Sequence, residues 1–114
     1  MDNLKVSTRS NPHAVAGALA GALRRDGVCG ITVIGAGALN QAMKAVVIAR
    51  ELVRHDGLDP VCVPSFVHLD VAGLERTALA LRVEHRPAAA GAPPATSDAE
   101  RDDDAGAKPL DRLA

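Results

Sequence analysis

An apolar run, Ile31-Thr-Val-Ile34, meets Gly35-Ala-Gly37 and passes without a spacer into a helical segment reaching Arg50. This junction restricts the chain to folds in which a strand feeds a helix through a sharp turn. Glycine admits backbone conformations closed to other residues and lets another group come close to the main chain. The first amides of such a helix have no intrahelical acceptor and sit at the positive end of the helix dipole. The junction is therefore suited to an anion, of which phosphate is the common case.

The flanking segments supply the remaining elements. Leu4–Ser7 reads as a short strand. Asn11 is a helix N-cap with Pro12 at the first helical position, so a first helix is expected over Pro12–Arg25, ended by Gly27. Gly30–Gly35 reads as the second strand and Ala38–Asp56 as the second helix, stopping before Gly57. Val61–Asp70 is a third strand with Pro64 at a bulge or an edge, Val71-Ala-Gly73 a turn, and Glu75–Glu84 a fourth strand. In that last strand Thr77, Leu79, Leu81 and Val83 alternate with Ala78, Ala80, Arg82 and Glu84. The order βαβαββ predicts an α/β (α+β) two-layer sandwich: a four-stranded mixed sheet carrying two helices.

From Arg86-Pro87 onward the periodicity ends, and Ala, Pro, Gly and Asp dominate. Such a segment buries too little apolar surface to offset its ordering entropy. The expected organisation is one domain over 1–86 and a disordered tail over 87–114. The first part carries ten basic against eight acidic residues, a net +2; the second carries three against six, a net −3.

Composition narrows function mainly by exclusion. The chain is 47% hydrophobic but has one aromatic residue, Phe66, so base stacking cannot be its chief means of recognition. Cys29 and Cys62 match no metal-ligand spacing. The four histidines stand beside no nucleophile elbow, and H-E-x-x-H and P-loop patterns are absent. We expect no enzyme, catalytic residue, metal or cofactor. A dinucleotide fingerprint fails at Asn40, where its third glycine would fall, and no acidic residue follows at the required strand end. Met1–Lys5 lacks the apolar core of a secretory leader, and Ala14–Leu23 is too short to span a bilayer, so a cytoplasmic chain with no membrane contact is expected.

On a helical wheel the second helix presents one polar stripe, Asn40, Lys44, Glu51 and His55, against a broad apolar arc. That arc exceeds what one sheet covers, and Ile48 and Leu52 are the candidates for meeting a partner chain. In the first helix, Gly17-x-x-x-Gly21 reads as close packing on the sheet.

Several stretches resemble the stage V sporulation protein S family: Leu4-Lys-Val-Ser7, Ser10-Asn-Pro12, Val15-Ala-Gly-Ala-Leu-Ala-Gly21, Ile34-Gly-Ala-Gly-Ala-Leu-Asn-Gln-Ala42, Lys44-Ala45, Ile48-Ala-Arg50, Pro64-x-Phe66 and Glu75-Arg-Thr-Ala78. The resemblance covers residues 2–86 and implies an Alba-like fold, a regulatory role in sporulation or development, and a homodimer to which the second helix contributes. Alba proteins bind DNA and RNA. Ala38 stands where their pattern tends to carry a basic side chain, or one adjacent; the paired lysines of their first loop are missing, and Arg9 is the nearest basic residue. A nucleic-acid site would draw on Lys5, Arg9, Gly35, Gly37, Asn40, Gln41, Lys44 and Arg76, contacting mainly the backbone with little sequence preference. The alternative is a protein-interaction adaptor using the second-helix surface and the same turn.

Overall fold

A computed structural model describes residues 1–87. Strand β1 (Asp2–Val6) leads to helix α1 (Pro12–Asp26), strand β2 (Val28–Val33), helix α2 (Ala36–Val53), a 3-10 turn (Arg54–Asp56), strand β3 (Leu58–Val71) and strand β4 (Leu74–Pro87). The sheet order is β1-β2-β4-β3. β1 and β2 are parallel, while β4 is antiparallel to both its neighbours. This is the expected mixed sheet with two helices. The anticipated 1–86 boundary falls one residue short of the end of β4, and the tail beyond it lies outside the described residues.

The local signals explain the helix ends. Asn11 Oδ1 accepts from the amides of His13 (2.9 Å) and Ala14 (3.4 Å), and Gly27 closes α1 at φ 76° with its N–H on the Leu23 carbonyl. The strand ends differ from expectation by one to three residues. β1 and β2 both begin earlier because Asp2–Val6 pairs with Cys29–Val33, and Ser7 is instead taken up by a tight loop with Ser10. β3 and β4 are each 14 residues long and pair throughout, from Leu58–Pro87 to Val71–Leu74. The turn between them is only Ala72-Gly73, both at positive φ (53° and 80°), the two-residue geometry that suits the right-handed twist of a hairpin.

β3 is an edge strand, which is why it tolerates Pro60 and Pro64. The two prolines are an even number of residues apart, so both direct the missing N–H to the same, open side. The register past Pro64 is continuous, so of the two expected settings the edge is the one observed and the bulge is not.

The core is made largely of alanine between the layers. Ala16, Leu19, Ala20, Ala22 and Leu23 of α1 and Ala38, Ala42, Ala45, Ala49 and Val53 of α2 are buried, with Val6, Cys29, Ile31, Val33, Leu81 and Val83 of the sheet. Gly17 and Gly21 do not supply the expected close packing. A Cβ added at either would meet nothing within 4 Å. The helices approach through alanines, and the glycines face away from that contact.

Asp59 is the single charged side chain buried among the described residues. Its carboxylate accepts from Arg50 Nε of α2 (2.9 Å) and Arg86 Nε of β4 (3.1 Å), so one group ties three elements at the end of the sheet opposite the glycine junction.

Candidate nucleic-acid interface

β1 and β2 finish side by side, and the chain leaves each through a turn into a helix. The two turns are built differently. After β1, the Ser7 amide donates to Ser10 Oγ (2.9 Å), the Ser10 amide to the Ser7 carbonyl (3.1 Å) and the Arg9 amide to Ser7 Oγ (3.2 Å). This loop consumes its own donors, and Asn11 caps the helix that follows.

After β2, Gly35 is the N-cap of α2 at φ 89°, a conformation that glycine accepts and other residues rarely do, and no side chain caps the helix. Gly35, Ala36 and Gly37 are exposed. The need for glycine at position 37 is different. A Cβ there would lie 2.9 Å from Thr8 Oγ1, so what approaches this backbone is the chain's own first loop. Gln41, half-buried, donates from Nε2 to the Ser10 carbonyl at 2.9 Å and fastens α2 to the same loop. Its amide nitrogen is thus engaged within the fold, whereas Asn40 is exposed.

The anticipated basic residues distribute around this end. Arg9 stands exposed on the first loop, and Lys44 lies one helical turn below Asn40 on the exposed side of α2. Lys5 is on β1, beside Thr32, on the sheet face that carries no helix. Arg76 pairs with Leu69 on the β3–β4 arm, three residues beyond the last β2–β4 pair, Val33–Leu79, or roughly 10 Å farther out. Gly35, Gly37, Gln41 and Arg9 are therefore brought together, Asn40 and Lys44 extend the patch along α2, and Lys5 and Arg76 lie on the other face. The arm also carries Asp70 and Glu75, with Glu75 3.4 Å from His68 Nδ1, so it is not a purely basic limb.

Arg24 pairs with Asp56, Arg25 with Asp2 and Asp26, Arg50 and Arg86 with Asp59, and Arg82 with Glu84. Among the described residues Lys5, Arg9, Lys44, Arg54 and Arg76 make no ion pair. Sequence reasoning did not foresee Thr8 as the group over Gly37, nor the serine loop. The Ser7-x-x-Ser10 spacing was the available sign, since serine hydroxyls at that separation close such turns.

The broad apolar arc of α2 is used mostly within the chain. Ile48 is half-buried and packs against the core, and the Leu52 carbonyl accepts from Arg24 Nη2 of α1 at 2.7 Å. The Leu52 side chain is 43% exposed and Val47 54%. No helix among the described residues is long and apolar enough to cross a membrane. Among the same residues no three His, Cys, Asp or Glu side chains gather as metal ligands. A family model described as Stage V sporulation protein S matches residues 2–86, which takes in every element just outlined up to the last residue of β4.

Proposed function

Because the chain belongs to the stage V sporulation protein S family, whose members are small sporulation-related proteins, we propose that it acts as a regulator that holds nucleic acid by its backbone, as an Alba-like dimer. The observation that supports this reading most is the start of α2 at Gly35–Gly37, which no side chain caps among the described residues, with Arg9 and Lys44 around it and ion-paired to none of those residues. Helix N-terminal amides and free cations are both suited to phosphate oxygens. Asn40 supplies a further side-chain amide, and Gln41 holds the junction to the loop. Lys5 and Arg76 would engage a ligand that passes around the sheet edge. With one phenylalanine in the chain, contacts to bases are a minor part, and discrimination among sequences is weak. The dimer would form through the α2 surface, where Val47 and Leu52 remain exposed and Ile48 lies alongside. No catalytic step and no cofactor enter this reading.

The second reading, a protein-interaction adaptor, is favoured by one observation. Phe66 is 76% exposed on the edge strand β3, and Val63 of the same strand and Leu74 at the hairpin tip are also open. Large apolar side chains on an unpartnered limb suit a protein surface better than a phosphate backbone.

A salt titration of the full chain with short RNA, single-stranded DNA and duplex DNA separates the two. Backbone binding weakens steeply with salt, and R9E with K44E lowers low-salt affinity at least tenfold and flattens the salt slope. Absence of binding at low salt, or binding indifferent to that double substitution, rejects the proposed site and favours the adaptor. Sedimentation of the same sample tests the dimer.

A further inference from the structure

A cavity of about 330 Å³ opens on the sheet face that carries no helix, at the end where β1 and β2 finish. One wall is apolar: Ile34, Leu69 and Val71. The other holds Lys5 with Thr8 and Thr32, the Thr32 hydroxyl being engaged with the Asn3 side-chain amide at 3.3 Å. Leu69 and Val71 come from β3 and Lys5 from β1, strands that β4 and β2 separate. Leu69 and Val71 reach Lys5 only because the β3–β4 arm, once past the end of β2, curls back over the open face, as the right-handed twist of a long hairpin directs.

The chemistry of the two walls selects a ligand. Lys5 makes no ion pair among the described residues and stands where no described carboxylate lines the cavity. An apolar molecule seated there would strip water from an ammonium without replacing it, which is unfavourable. A bare inorganic anion would leave the wall of Ile34, Leu69 and Val71 unused. The volume is at the small end of ligand pockets, roughly 300–1,000 Å³. We propose that this cavity binds a small amphiphilic anion, a carboxylate with a short aliphatic body. The carboxylate rests on Lys5, between Thr8 and Thr32, and the chain lies along Leu69, Val71 and Ile34. The site adjoins the Gly35–Gly37 junction and shares Lys5 with the proposed nucleic-acid surface, but it is occupied without nucleic acid and does not rest on that reading.

The test is methyl NMR of the full chain, without nucleic acid, titrated with acetate, butanoate, hexanoate and hexylamine. Hexanoate is expected to shift the Ile34, Leu69 and Val71 methyls saturably. Affinity is expected to rise from butanoate to hexanoate by up to about fourfold per methylene. Hexylamine, of the same length and opposite charge, is expected to give no saturable shift. K5M, at an exposed position, is expected to weaken hexanoate binding at least tenfold while the remaining spectrum is unchanged. Shifts that do not saturate at millimolar hexanoate, equal response to hexylamine, or unaltered affinity in K5M each overturn the proposal. The hexylamine comparison stands on the unaltered chain should K5M fail to fold.

Discussion

Thr8 fills the space that a side chain at Gly37 would need: a Cβ built there lies 2.9 Å from Thr8 Oγ1 and 3.2 Å from its Cγ2. Two loops of different origin therefore interlock at the start of α2. Gly37→Ala would gain helix propensity but must push the first loop aside, and overpacking outweighs that gain. We expect a loss of about 1 kcal/mol in urea unfolding. Thr8→Ala removes the atoms that collide, so the double variant T8A/G37A should regain most of the loss. Equal stability of G37A and the unaltered chain would show that the loop yields freely.

Asp59 joins α2 to both long strands, and its side chain is only 12% exposed. Asp59→Ala should lower stability by about 2 kcal/mol, since it removes two charge-assisted hydrogen bonds at once. The partners differ. Arg86 is two-thirds exposed and can rehydrate, so R86A should cost less than about 1 kcal/mol, with R50A between the two. Chemical denaturation of the three variants orders them, and an R86A loss equal to that of D59A would contradict the assignment.

Gly17 and Gly21 lie within α1 with open space where a Cβ would go. Their replacement by alanine removes conformational freedom from the unfolded chain and adds no clash. G17A and G21A should each stabilise by about 0.5–1 kcal/mol, read as a rise in thermal midpoint. A fall would mean that these positions pack against something in the sample other than the single chain, such as a second copy.

Burial pushes the Cys29 thiol and the Cys62 thiol above their ordinary range. Both should alkylate more slowly than a free cysteine near neutral pH, and half-buried Cys62 should react before buried Cys29. The native state holds these protons more tightly than the unfolded state. The associated stability is complete below the ordinary thiol pKa and is lost as pH climbs from there toward the raised values. Alkylation rates followed by mass spectrometry check the order, and Cys29 reacting first would contradict it.

Parts of this fold are written locally. Asn11, Pro12 and Gly27 mark the ends of α1 because a cap and a left-handed residue act within three or four positions of themselves. The βαβαββ order follows from periodicities of similar range. Strand ends are not local. Where β1 starts is set by Asp2 finding Cys29, and the reach of β3 past Val61 by pairing with a strand that begins at Leu74.

The candidate site divides in the same way. The Gly35–Gly37 turn into a helix, the exposed polar stripe of Asn40 and Lys44, and the resemblance over residues 2–86 belong to the sequence, because glycine conformation and helical spacing depend on neighbours alone. Tertiary structure decided which basic residues are neutralised: Arg24, Arg50 and Arg86 find carboxylates 9 to 32 residues away, while Arg9 and Lys44 find none among the described residues. It also decided that α1, beside the sheet, takes up much of the apolar arc of α2, that Thr8 occupies the space above Gly37, and that the hairpin arm curls over Lys5. Each of these depends on which distant segment arrives at a given place, and a pattern of residue types along the chain carries no measure of that distance.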